Sequence, residues 1–228
     1  MTTQKYIIFD FDGTLVDSVD LAVEIYNKIA PKYNCKPVQH EAREILSSKN
    51  PQKFFKTYGI TPFKLFLLVY RIRRELGKHI PHIEPVKGME KALRSLRNHG
   101  YKLGILTSNS KSNVEDFLDH NHLRGLFSFV YSGRKLLGKD VSITALLKKE
   151  KIQKKDVIYV GDETRDVLAM KKVDIPVIAV GWGLTPPEKL SSLLPDLLLA
   201  SPENLHPEAV EKLFRRAWKS ILENDLWN

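Results

Sequence analysis

The chain has 228 residues, 43% hydrophobic and 28% charged, enough for one large domain or two small ones with a sizeable core. Its single cysteine, Cys35, excludes an internal disulfide, and neither a signal-peptide pattern nor an apolar run near the roughly 20 residues of a membrane span is present, so a cytoplasmic protein with no membrane contact is expected. The net charge of +9 could attract nucleic acid or phosphorylated metabolites, but the basic residues are dispersed among acids, without a long tract or a zinc-finger spacing, so nucleic acid is not expected as the main partner.

The first predicted element is the strand "KYIIFD", an apolar run that ends in Asp10 and Asp12 with Gly13-Thr14 directly behind. In extended backbone, residues two apart face the same way, so both acids can address one spot. Two like charges at the end of a core strand require a positive partner. From Leu15 to Glu84 the pattern becomes helical: "SVDLAVEIYNKIA", "EAREILSS", "NPQKFFKTYG" and "TPFKLFLLVYRIRRELGKH". This stretch holds twelve Lys/Arg against seven Asp/Glu, and Asp17 and Ser18 are expected to start its first helix. Residues 15–84 are therefore read as an inserted helical domain, with 1–14 and 85–228 forming a discontinuous α/β core.

Helix "GMEKALRSLRNHG", the candidate buried strands "YKLGILTS" and "FSFVYS", helix "VSITALLKKEKI", and the candidate buried strands "DVIYVGD" and "IPVIAV" follow. This alternation predicts a doubly wound, Rossmann-like parallel sheet. Such sheets place their ligand site beyond the carboxyl ends of the strands, where Asp10, Thr107 and Asp162 fall. In "VGDETRD", Asp162 and Asp166 share one face of a starting helix. An all-oxygen cluster suits a hard cation, most simply Mg²⁺. His79, His82, His120 and His122 lack a metal framework and are read as surface or loop residues. In the C-terminal helical pattern, Val210, Leu213, Phe214, Ala217, Trp218 and Ile221 form the stripe expected to pack on the sheet.

In order along the chain, "DFDGTLVDS", "LGILTSNS", the lysine of "LLGKD" and "YVGDETRD" resemble the four motifs of the haloacid dehalogenase superfamily, and the helical insertion resembles its C1-type cap. The resemblance implies a phosphatase with Asp10 as nucleophile, forming an aspartyl-phosphate, and Asp12 as general acid and base. It implies Mg²⁺ held by Asp10, by Asp12 through its backbone carbonyl, and by Asp162, with Glu163 and Asp166 behind them. Thr107 would bond a phosphoryl oxygen, assisted by the Ser108 and Asn109 amides; a helix N-cap is the competing role for Ser108 and Asn109. Lys139 would steady charge on nucleophile and phosphate, with Lys135 as its competitor.

The tail from Gly181-Trp182-Gly183 to "PDLLLASPENL" resembles the phosphoglycolate phosphatase branch. Trp182 is read either as packing at the strand end or as a substrate contact. Where that branch often has a glycine-led turn in the cap, this chain reads "SSKNPQKFF", so Lys49, Lys53 and Lys56 become candidates for a second anionic group. The expected substrate is a small phosphate monoester, a small phosphorylated metabolite of the phosphoglycolate kind. A phosphomutase of the β-phosphoglucomutase type, a pyrophosphatase and a non-catalytic binding protein are the alternatives, and a monomer or homodimer is expected.

Overall fold

The computed structural model describes residues 4–38, 55–133 and 138–225, with the backbone alone for 73, 81 and 217–225. Six strands form one all-parallel sheet: β1 (Tyr6–Phe9), β2 (Lys102–Thr107), β3 (Phe127–Ser132), β4 (Val157–Gly161), β5 (Val177–Val180) and β6 (Leu197–Leu199), in the spatial order β3-β2-β1-β4-β5-β6. This is the Rossmann-like doubly wound sheet expected from the alternation. Strand order reverses at β1, whose neighbours are β2 on one side and β4 on the other. Chain connections leave in opposite directions there, which opens a crevice at the carboxyl ends.

Helices cover both faces, which explains why the strands read as continuous apolar runs rather than alternating ones. Ile7 and Phe9 of β1 point to one face, and Ile8 to the other. On the first face they meet α3 (Met89–Asn98), α4 (Lys111–His120) and α8 (Pro207–Asp225) through Leu93, Leu96, Phe117 and Phe214. On the second, α5 (Lys139–Glu150), α6 (Thr164–Lys172) and α7 (Pro187–Ser191) contribute Ile143, Leu146, Val167, Met170 and Leu190. Each such fully buried side chain contributes about 1.5–3 kcal/mol against conformational entropy.

Two features of the sheet differ from expectation. "FSFVYS" is an edge strand, half-exposed along most of its length, rather than a buried one. β6, inside "PDLLLASPENL", was not anticipated: three residues are too few for a period, and only pairing with β5 makes them a strand.

Between β1 and α3 lie α1 (Val19–Ile29) and α2 (Pro62–His79), which pack on one another. Tyr26, Ala30, Cys35, Val38, Ile60 and Leu68 form a small core separate from the two sheet faces. Thr61 caps α2, its hydroxyl accepting from the Lys64 amide, and Pro62 occupies the first turn, where a missing N–H costs nothing. "EAREILSS" and part of "NPQKFFKTYG" lie outside the described residues, as do Lys49, Lys53 and Lys135; Lys56 is exposed. Among the described residues, no helix is long and apolar enough to cross a membrane. The four histidines singled out above are all exposed. Val210, Leu213 and Phe214 are buried, whereas Ala217, Trp218 and Ile221 fall where only backbone is described.

Candidate active site

Asp10 directly follows β1, and its amide donates to Val160 O at 2.8 Å, continuing the pairing with β4. That register sets Asp10 opposite the end of β4, one step short of Asp162. A carboxylate oxygen from each of Asp10, Asp162 and Asp166 lies within 4.8 Å of the other two, and all three side chains are buried. Lys139, the first residue of α5, extends Nζ into this group, 2.5 Å from Asp10 Oδ2 and 2.5 Å from Asp166 Oδ1. Lys139 is thus the described lysine that reaches the acids. The Tyr159 ring lies beneath its ammonium, 5.2 Å away.

Asp162 is fixed by neutral donors. The Thr14 hydroxyl donates to Oδ1 at 3.0 Å and the Leu184 amide to Oδ2 at 2.8 Å. A Cβ on Gly13, which has φ +76°, would stand 2.2 Å from Asp162 Oδ2, and a Cβ on Gly183 would stand 2.2 Å from Asp162 Cβ. Glycine is required at both places so that backbone can close on the carboxylate. Asp166 carries two tasks: Oδ2 accepts from the Glu163 amide at 3.1 Å, completing a capping box at the start of α6, while Oδ1 receives Lys139. Asp166, expected behind the metal ligands, thus stands beside Asp10 and Asp162, with one of its oxygens within 4.8 Å of theirs. Glu163 caps α6 and pairs with Arg165.

Asp12 does not join that cluster through its side chain. The chain turns at Phe11, whose carbonyl accepts from the amides of Thr14, Leu15 and Val16, so the extended geometry that would aim both acids at one point ends there. Asp12 Oδ1 accepts from Ser18 Oγ at 3.0 Å, and Oδ2 from Asn109 Nδ2 at 3.1 Å. Ser18 stands at the N-cap of α1, but its hydroxyl serves Asp12 rather than the helix. Thr107 ends β2, almost fully buried, and its Oγ1 accepts from the Asn109 amide at 2.9 Å. That amide is therefore turned to Thr107, and Asn109 reaches the site by its side chain. The N-cap of α4 is neither Ser108 nor Asn109 but Ser110, which accepts from the Asn113 amide. Trp182 Nε1 donates to Thr14 O at 3.1 Å, which makes its packing role concrete. Thr14, Gly183 and Leu184 had no assigned role in the sequence; the glycines flanking Trp182 were the available signal.

Lys139 pairs with two of the three buried carboxylates, Asp10 and Asp166, so full ionisation of all three would leave two negative charges in excess. Burial pushes the Asp10 carboxyl up to about 7, against the pull of Lys139. Burial also holds Asp162 well above the ordinary carboxylate range, with the charges of Asp10 and Asp166 adding to the shift. For Lys139, burial alone would lower the value, but Asp10 and Asp166 more than reverse this and keep it charged. All-oxygen donors with an unmet negative charge fit a hard divalent cation of the Mg²⁺ kind.

Comparison with known proteins agrees with this geometry. Residues 7–180 match the model of the haloacid dehalogenase-like hydrolases. A phosphoglycolate phosphatase of Synechococcus elongatus is 39% identical over 92% of this chain and 99% of its own length. A pyrophosphatase of Bacillus velezensis is 26% identical over 87% of this chain and 93% of its own. A predicted phosphatase of Clostridium acetobutylicum superposes with TM-score 0.76 at 23% identity, covering 92% of this chain and 100% of that one, a likeness of fold. With the acidic cluster standing where that fold opens its crevice, the chain belongs to the haloacid dehalogenase-like hydrolases and is a phosphatase.

Proposed function

We propose that this phosphatase hydrolyses a small phosphate monoester, 2-phosphoglycolate in the first place, with Mg²⁺ and through an aspartyl-phosphate on Asp10. The observation that carries the reading is the meeting of Asp10, Asp162, Asp166 and Lys139 beyond the ends of β1 and β4. The relative at 39% identity, matched over nearly its full length, supports the choice of substrate. Residues 15–84 are read as a cap on the core formed by 1–14 and 85–228.

In this mechanism the Asp10 carboxylate attacks phosphorus while the leaving oxygen takes a proton from Asp12. Water then attacks the acyl phosphate, returns a proton to Asp12, and frees phosphate and Asp10. Ser18 and Asn109 orient Asp12 for both transfers. Lys139 holds Asp10 in position and balances charge on the transferring group, and the Thr107 hydroxyl donates to a phosphoryl oxygen. Asp10, Asp162 and the Asp12 carbonyl would hold Mg²⁺, which when bound offsets the charge of the phosphoryl group.

The test is a screen of phosphorylated metabolites, including 2-phosphoglycolate and pyrophosphate, with Mg²⁺ and the Asp10→Asn protein as blank. The expected outcome is fastest phosphate release from 2-phosphoglycolate and a loss of at least about 10³-fold in Asp10→Asn. Release that survives Asp10→Asn removes it as nucleophile. An isomerised phosphosugar without free phosphate would indicate a mutase instead.

A further inference from the structure

We propose that Arg165 recognises a second anionic group, a carboxylate, on the part of the substrate that departs with the leaving oxygen. This deepens the phosphatase reading above and rests on it. Two cavities border residues that surround the acidic cluster. The first, about 360 Å³, is lined by Thr107, Ser108 and Lys139 among others. The second, about 420 Å³, is lined by Asp12, Ser18, Ser108 and Asn109 among others, with Leu76 and Ile80 closing it from the helical segment. Arg165 lines both.

Asp12 is the group assigned to protonate the leaving oxygen, so the departing part of the substrate belongs in the second cavity. Apart from Asp12, its described polar lining consists of hydroxyls, amides and one cation, Arg165. Lys139 is occupied by Asp10 and Asp166, and Lys172, in the first cavity, by Asp140. The Arg165 side chain remains 52% exposed. Its Nη2 is tethered to Glu163 Oε1, which aims the guanidinium while engaging only part of its donor set. A guanidinium carries five N–H donors in a planar fork that matches a carboxylate bidentately.

The base of this side chain is equally well fixed. Arg165 is the second residue of α6, one position before Asp166 and three after Asp162, so the turn that sets two of the clustered acids also sets the arginine. Because Asp12 and Arg165 line the same cavity, a carboxylate on the departing part of the substrate would share that space with the guanidinium. Lys56, the described candidate for such a role in the sequence, is not among the residues lining either cavity.

The experiment compares kcat/KM for 2-phosphoglycolate and for its neutral amide, 2-phosphoglycolamide, in wild type, Arg165→Gln and Arg165→Lys, all with Mg²⁺. Wild type is expected to favour the carboxylate by about 10- to 100-fold, the worth of a charge-assisted pair. Arg165→Gln should lose most of that ratio, through KM more than kcat, and Arg165→Lys should retain part of it. Equal kcat/KM for the two esters in wild type overturns the proposal without reference to any variant's folding. So does a ratio unchanged in Arg165→Gln, including one in which both activities fall together. Wild type that releases phosphate from neither ester nor from p-nitrophenyl phosphate overturns the phosphatase reading itself, and this inference with it.

Discussion

Gly183 and Lys139 carry the sharpest consequences for single side chains. A methyl group at Gly183 would meet Asp162 Cβ at 2.2 Å, and that carboxylate is pinned on its other side by Gly13 and Thr14. Gly183→Ala is therefore expected to displace Asp162 and to cost about 1–3 kcal/mol of stability. Thermal unfolding measures the stability, and the Mg²⁺ concentration for half-maximal activity, expected to rise, tests the proposed role of Asp162 as a ligand. Lys139→Met keeps most of the side chain's apolar length but removes the only ammonium the acids receive among the described residues. It is expected to lower kcat about 10²- to 10³-fold and to destabilise the metal-free protein by about 3–5 kcal/mol. Added Mg²⁺ should recover part of the stability and little of the rate. Recovery of the rate as well would mean that Lys139 serves only to neutralise Asp10 and Asp166.

The C-terminal helix α8 shows how an element is locked to the sheet. Glu211 Oε2 accepts from Lys5 Nζ at 2.8 Å and from the Tyr101 hydroxyl at 3.1 Å, joining the helix to the starts of β1 and β2. The Tyr101 ring stacks on Phe214 at 6.0 Å, and Lys5 Nζ stands 4.9 Å from the same Phe214 ring. The Lys5 hydrogen bond leads the effects that hold the Glu211 carboxyl below its ordinary 4.5. A depressed carboxyl stabilises the fold above its unfolded value, and the gain disappears as pH falls through the folded one. Because the side chain is 35% exposed, the gain is screened to less than about 1 kcal/mol. Glu211→Gln should therefore lower the melting temperature slightly at pH 7 and not at about pH 3. An equal loss at both values would assign the effect to packing.

The acidic cluster is expected to link the stability of the whole protein to metal and pH. With Asp10 raised from 3.8 to about 7, the metal-free fold is favoured while that carboxyl is protonated, and loses this advantage as pH rises from about 4 to about 7. A divalent cation held there, as proposed, would favour the ionised cluster, so its stabilising effect is expected to grow over the same window. At a hundred times its dissociation constant, Mg²⁺ should add about 2.7 kcal/mol. Melting curves with and without Mg²⁺ are expected to diverge more at pH 8 than at pH 6, and to coincide at both in Asp162→Asn. A shift that does not depend on pH, or that persists in Asp162→Asn, would locate the cation elsewhere.

Much of this was legible in the chain itself. Apolar runs too continuous for a half-exposed strand, separated by helical stripes, determined a parallel sheet covered on both faces, because only that arrangement buries such strands twice. Asp10, Thr107 and Asp162 were identifiable since each stands where an apolar run stops. Other features depend on contacts between distant segments, which no local pattern encodes. β6 exists only because β5 pairs with it, and Ser18 serves Asp12 rather than its own helix because the chain turns at Phe11. Asp166 enters the acidic cluster because α5 carries Lys139 across to it, and Arg165 faces two cavities because β4 and α6 meet beside the end of β1. Sequence spacing states which side chains can share a face; only the packing of β1, β4, α5 and α6 decides which of them meet.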